Sequence, residues 1–260
     1  MKLDSRAWLE EACGYNTPER KFLGPFFIMS ASLQQLDKEE PHPYPGWLIV
    51  TPTALEFAAV QKGLAGRPGR EPGRLMMCGV GEQQSGLFCQ KMDLIAPTCL
   101  VLIGWGGGLA AGLAAGDVVC ADTALREGQP RLLCKVVTIP NVRTGPILTA
   151  PRALLTPAEK RAAQASGALA VEMEAYPLAA WANRRGIPFI HVRVILDTFD
   201  ETLPDLGQGL DSSGQVRLAP LLKILVRRPG LLPELWQLNQ RVRAINAVLT
   251  KVTTDILQNL

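Results

Sequence analysis

Three carboxylates set in strongly apolar surroundings are the residues of this chain best placed to do chemistry. Glu172 and Glu174 flank Met173 in the run Val171-Glu172-Met173-Glu174. Asp197 closes the run Arg193-Val194-Ile195-Leu196-Asp197, about one helix further on. Carboxylates are expensive to bury unless they are paired, protonated or used. Desolvation favours the protonated form of a carboxyl group at the end of an apolar strand, as a proton donor requires. Upstream, Gly104-Trp105-Gly106-Gly107-Gly108 is a Gly-rich stretch that could wall the same pocket. Each acid also has a plain structural reading. Glu172 and Glu174 suit a helix N-terminus, which favours carboxylates, and Asp197 suits a strand end or turn.

The elements that must position these residues follow from the apolar runs. Trp47–Val50, Leu75–Val80, Cys99–Ile103, Asp117–Ala121, Leu132–Ile139 and Phe189–Leu196 have strand length. Helical stretches fall near Gln83–Leu94, Pro157–Ala165 and Glu172–Arg185, and Thr51-Pro52-Thr53 reads as the cap and Pro that open another. Strands alternating with helices predict an α/β fold: one domain with a mixed, twisted central sheet flanked by helices, and a long C-terminal helix. Ligands of such sheets sit at the carboxyl ends of the strands. Glu56, Gly81, Gly104–Gly108 and Asp197 all fall just after predicted strands and are expected to meet at one edge. The expected organisation is an N-terminal extension over 1–45, an α/β core over 46–215, and a basic, Leu-rich helical segment over 216–260 that packs on the core.

Composition excludes several function classes. The 260 residues are 47% hydrophobic and 20% charged, so the chain is neither disordered nor fibrous. A net charge of +3, with no aromatic residues interleaved in a basic run, argues against a nucleic-acid partner. None of the six cysteines forms a Cys-x-x-Cys pair, and four lie in apolar runs, which predicts buried reduced thiols in a cytoplasmic protein. With only His42 and His191 available, a His-based metal site is not expected, and His191 reads as a packed histidine within a strand. No cofactor is implied. The charged N-terminus does not read as a signal peptide. Cys99 to Gly116 carries no charge, but its six glycines argue for a buried strand and loop rather than a membrane span.

Leu235, Leu238, Val242, Ile245, Leu249, Val252 and Ile256 repeat with spacing 3 and 4, a heptad seam. The favoured reading is a helix docked on its own core; a dimer contact is the alternative. The apolar run Leu218–Arg228 has basic edges that would suit peripheral contact with an anionic membrane, although a core-covering helix with solvated arginines is the commoner explanation.

Taken in order, Gly79-Val80-Gly81, Gly106-Gly107-Gly108-Leu109, Gly116-Asp117-Val118-Val119, Val171-Glu172-Met173-Glu174-Ala175 and Arg193 to Asp197 resemble the purine nucleoside phosphorylase and nucleosidase superfamily. The resemblance spans residues 47–205. Within the superfamily the chain is most similar to nucleosidases: those acting on methylthioadenosine and S-adenosylhomocysteine, the futalosine hydrolases, and the hopanoid-associated proteins that release adenine from adenosylhopane. The run Asp197 to Pro204 and the basic tail resemble the last group most.

That resemblance implies hydrolysis of the N-ribosidic bond of a 5′-substituted adenosine by a homodimer, with a small nucleoside as partner. Asp197 would act as acid toward N7 of the departing base, and Glu56 would activate water. Glu174 would hold the ribose hydroxyls and favour the cationic sugar, with Met173 against the sugar face. Glu172 would orient Glu174 or bond the backbone, and Gly81, Trp105, Gly106 and Gly107 would line the site; Arg193, by its own chemistry, reads as structural or as a carboxylate partner. Three positions depart from the family pattern. Leu196 replaces the usual Ser and so removes a hydrogen bond that orients the acid. Trp105 enters the Gly-rich loop, and Pro151-Arg152-Ala153-Leu154 lacks a base-stacking aromatic.

Phosphorolysis is the alternative reaction. It needs cationic donors aimed at phosphate, and the loops at 79–86 and 104–108 hold none, while Glu82 would repel the anion. Arg143 and Arg152 remain candidates to reach in. A non-catalytic nucleoside-binding protein on the same fold is a second alternative. A dinucleotide-binding oxidoreductase is a third, disfavoured because too few residues separate the Gly-rich loop from the next strand to form a helix.

Overall fold

The computed structural model describes residues 46–65, 74–92, 97–204 and 231–258. The expected extension over 1–45 and the apolar, basic run at 218–228 lie outside the described residues. In chain order the elements are β1 (Trp47–Thr51), α1 (Ala54–Ala65), β2 (Arg74–Met77), α2 (Glu82–Lys91), β3 (Cys99–Gly108), β4 (Val118–Leu125), β5 (Leu132–Leu133), β6 (Val142–Thr149), α3 (Pro157–Gln164), β7 (Ala170–Glu172), α4 (Ala175–Arg184), β8 (Phe189–Asp197) and α5 (Leu231–Gln258).

The strands form one mixed sheet of order β2-β1-β3-β7-β6-β4-β5, and β8 pairs with both β3 and β4. Because β8 joins β3 to β4, the five strands β3, β8, β4, β6 and β7 close on themselves as a small barrel, from which β1 and β2 extend as a parallel wing. The chain therefore has the α/β architecture with a mixed central sheet that alternating strand and helix patterns predict.

Helices cover both faces. Ile49, Val101, Ile190, Val192 and Val194 pack with Ile245, Leu249, Val252 and Ile256 of α5 and with Ala59 and Val60 of α1. The heptad seam is thus buried in the protein's own core along its C-terminal half, whereas Leu235, Leu238 and Val242 stay partly exposed. Gly63 allows α1 and α5 to approach closely, since a Cβ there would lie 2.6 Å from the Thr250 carbonyl. On the opposite face Phe88, Leu178, Trp181 and Phe189 close a second core beneath α2 and α4. No helix among the described residues is long and apolar enough to cross a membrane.

Four elements differ from the sequence expectations. β3 does not end at Ile103 but runs on through Gly108, because β8 pairs with it along that length. The expected strand Leu132–Ile139 shrinks to Leu132–Leu133; Val137 and Ile139 still insert into the core without joining a ladder. β6 (Val142–Thr149) is absent from the expected strands; Gly145 and Pro146 interrupt its apolar run. Pro146 sits where the β4–β6 register shifts, so its missing N–H costs no ladder bond. Finally, Glu172 ends β7 rather than opening a helix, and α4 begins only at Ala175.

Candidate active site

Strand alternation assembles most of the site. On β8, Ile190, Val192 and Val194 face the α1–α5 core, so His191, Arg193 and Asp197 share the other face. All three are buried. Arg193 is 0% exposed and sits at the centre of a carboxylate cluster. Its Nη2 donates to Glu172 Oε2 and, at 3.2 Å, to Glu174 Oε2. Nη1 donates to the Trp105 carbonyl at 3.2 Å, and Nε donates to His191 Nε2 at 3.0 Å. Burial and the neighbouring guanidinium push the His191 imidazole well below its usual range, so it serves as a neutral acceptor. Arg193 is therefore the carboxylate partner, and His191 the packed histidine, that the sequence suggests.

Glu56 reaches the cluster from the first turn of α1. Thr53 N and Oγ1 both donate to its Oε2, at 2.9 and 2.5 Å, while Glu56 N donates to Thr53 Oγ1 at 3.3 Å. That reciprocal arrangement is a capping box. The other oxygen, Oε1, accepts from Trp105 N at 2.6 Å. Burial raises the Glu56 carboxyl, while the facing Arg193 and these hydrogen bonds draw it down.

Glu172 and Glu174 have diverged in role. Glu172 Oε1 accepts from Thr149 Oγ1 at 2.5 Å, and Oε2 accepts from the N–H groups of Glu174 and Ala175 as well as from Arg193. It caps the start of α4 and holds Arg193, which leaves its carboxylate fully engaged. Glu174 makes no capping bond. Its Oε1 accepts from Gly81 N at 2.8 Å, and burial, reinforced by Glu172 and Glu56 and opposed by Arg193, lifts its pKa to about 7.

The Gly-rich segment supplies room rather than a loop. A Cβ on Gly104 would collide with Glu56 Oε1 and lie 2.6 Å from Arg193 Nη1. One on Gly106 would come within 3.0 Å of the Val171 carbonyl, and one on Gly107 within 3.2 Å of Val171 Cγ1 and 3.5 Å of Asp197 Oδ2. Glycine lets the strand pass directly under the acids. With turns rather than a helix after Gly108, a dinucleotide-binding loop is ruled out at this segment. Trp105 contributes only its backbone to the cluster; its indole Nε1 donates to Asn246 Oδ1 on α5 at 3.1 Å, on the far face of the strand.

Asp197 lies at the end of β8, level with Gly107. Its partner is Lys160 on α3, whose side chain is 0% exposed and whose Nζ contacts Asp197 Oδ2. Burial raises the Asp197 carboxyl and Lys160 lowers it. Lys160 went unnoticed in the sequence because Glu159 and Arg161 flank it and make α3 look like a solvated surface helix. Beside Glu174, an open cleft of about 650 Å³ is lined by Val80, Gly81, Glu82, Gln84, Pro151 and Met173. Glu82 there is bound to Arg126 at 2.7 Å. Arg143 donates to the Gly112 carbonyl at 2.9 Å, and Arg152 pairs with Glu159 at 2.6 Å. Among the described residues no group of three or more His, Cys, Asp or Glu side chains is arranged to hold a metal ion.

Residues 128–217, which contain Lys160, Glu172, Met173, Glu174, Arg193 and Asp197, match the family model described as the phosphorylase superfamily. No curated protein matches the chain by sequence. Among solved structures, 5′-methylthioadenosine/S-adenosylhomocysteine nucleosidase from Helicobacter pylori superposes with a TM-score of 0.59 at 14% identity, covering 84% of this chain and 100% of that one. Futalosine hydrolase from Helicobacter pylori gives 0.58 at 14% identity, over 84% and 99%. A putative nucleosidase of the first type from Francisella philomiragia gives 0.53 at 19%, over 71% and 99%. The fold is that of the nucleoside phosphorylases and nucleosidases, and the match at 128–217 fits that superfamily.

Proposed function

We propose that this protein hydrolyses the N-ribosidic bond of a 5′-substituted adenosine and releases adenine. The observation that carries the reading is the Arg193 cluster, in which one cation faces Glu56, Glu172 and Glu174 beside an open cleft. Breaking an N-ribosidic bond develops positive charge on the sugar, and a preorganised surplus of negative charge favours that transition state. Glu174, tied to the cleft wall through Gly81, binds the ribose hydroxyls, and Met173, which lines the cleft, packs against the sugar. Glu56, held by its capping box and by Trp105 N, accepts the proton of the attacking water. Asp197 donates to N7 as the base departs, so that the leaving group is not a full anion.

Water rather than phosphate is the nucleophile in this reading. Arg193 is committed to carboxylates, Arg143 to backbone carbonyls and Arg152 to Glu159, which leaves none of the three to cradle an incoming anion. The run from Asp197 to Pro204 and the Leu-rich tail favour an apolar 5′ group, as in adenosylhopane. The same resemblance extends the proposal to a homodimer and to peripheral membrane contact through residues 216–260, which light scattering and vesicle sedimentation would test.

Adenine release from a panel of 5′-substituted adenosines, with and without phosphate, tests the reaction. Phosphate-independent release that Asp197→Asn abolishes is the expected result. Phosphate-dependent release would make the protein a phosphorylase. Nucleoside binding without release would make it a binding protein.

A further inference from the structure

Asp197 cannot be oriented by its chain neighbour, because Leu196 has no polar side chain. A group from another element does contact it. Lys160 Nζ lies against Asp197 Oδ2 and donates to the carbonyls of Thr198 and Glu201, each at 2.8 Å. Two of the three N–H donors of the ammonium go to the backbone that follows the acid, and its charge is set against Oδ2 as an ion pair. The side chain of Lys160 is 0% exposed and that of Asp197 3%, so the contact is dry and little screened by solvent. A second link anchors the same backbone from outside. Arg241 on α5 donates to both carboxylate oxygens of Glu201, at 2.8 and 3.0 Å, and to the Leu196 carbonyl at 3.4 Å.

We propose that Lys160 is the positioning residue for the acid: it pins Oδ2 of Asp197 and the 198–201 turn together, leaving Oδ1 to face the departing base. This rests on the nucleosidase reading for the role of Asp197, but the clamp itself rests on contacts that exist without substrate. Lys160 does not touch the base and acts only through Asp197. The other charged groups that bear on Asp197 are Glu201, on the turn, and Arg241, on α5. A clamp of this kind affects the chemical step more than binding, since misorientation of a proton donor is felt as the bond breaks.

The test uses the full chain with Lys160→Met, and Lys160→Gln as the milder variant that keeps N–H donors without charge. Adenine release is followed across pH, and Asp197 ionisation is followed separately by the carboxylate infrared band that Asp197→Asn removes. The expected result for folded Lys160→Met is kcat lower by about 100-fold with KM changed by only a few fold. The alkaline limb of its rate profile should move upward, because loss of the cation makes the Asp197 proton harder to remove. Lys160→Gln should recover part of kcat but not the limb position. Unchanged kcat, a loss confined to KM, or an unmoved limb and infrared titration would overturn the proposal. Failure of both variants to fold would assign the pair to folding and also overturn it. Should wild type release no base from any nucleoside while the infrared titration still shifts in Lys160→Met, the nucleosidase reading falls and the clamp on Asp197 stands.

Discussion

Two buried charge clusters, centred four residues apart on β8 at Arg193 and at Asp197, are neutralised in different ways. At Arg193 a single guanidinium faces Glu56, Glu172 and Glu174, so carboxylates outnumber cations in a dry site. At Asp197 one ammonium meets one carboxyl. Surplus negative charge has two outlets, protonation of one carboxylate or arrival of a positive ligand, and the lift of Glu174 to about 7 is the first of these. The balanced pair has no surplus to relieve, so its geometry rather than its charge is what it offers. One region carries a surplus of negative charge in a dry site; the other pairs one carboxyl with one ammonium.

Removing the shared cation should break this contrast most severely. Arg193→Met would strand three buried carboxylates, and loss of a buried partner costs about 3–5 kcal/mol. Urea unfolding at neutral pH is expected to show at least that loss, with activity abolished. Next, Asp197→Asn should lower adenine release by about 10²–10⁴-fold, the usual range for a general acid. A drop below tenfold, measured under single-turnover conditions, would move the acid role elsewhere.

The surplus itself can be sharpened by pH. Glu174 is raised from 4.5 to about 7, so between these values the folded state binds more protons than the unfolded state. Its stabilising contribution is therefore complete below 4.5 and is lost as pH rises through about 7. Stability of the wild type should fall across that window. Glu174→Gln should remove most of the slope, with Glu56, also raised, leaving a remainder; parallel slopes in the two proteins would show that the surplus is dissipated elsewhere. The smallest effect is expected at the capping box. Thr53→Ala should cost about 1 kcal/mol and loosen Glu56, lowering kcat more than it raises KM.

The carboxylates themselves were readable because acids in apolar runs are conspicuous. Glu56, Glu172, Glu174 and Asp197 are all buried, as their surroundings in sequence imply. Capping a helix and belonging to the buried Arg193 cluster are not rival roles for these acids. Glu56 closes a capping box and faces Arg193, and Glu172 caps α4 while Glu174, two residues on, bonds Gly81 N at the cleft wall. Lys160 was not readable, since a lysine between Glu159 and Arg161 has the pattern of a solvated face. Burial of that lysine depends on α3 crossing the end of β8, which no local pattern encodes. The length of β3 is not encoded locally for a related reason. Five residues containing four glycines resemble a loop, yet here they form a strand whose missing side chains make space for carboxylates.

What the sequence determined by itself is whatever follows from periodicity and from the cost of burying charge. The alternation of β8 puts Arg193 and Asp197 on one face, the heptad spacing of α5 builds a stripe that Ile245, Leu249, Val252 and Ile256 bury, and Thr53-x-x-Glu56 opens α1. What only the tertiary structure decided is which charges neutralise which. Ion pairing acts through space over a few ångströms, while the partners stand far apart in the chain. Closure of the barrel by β8 brings Arg193 to Glu56 and to the Trp105 backbone, and the docking of α3 brings Lys160 to Asp197.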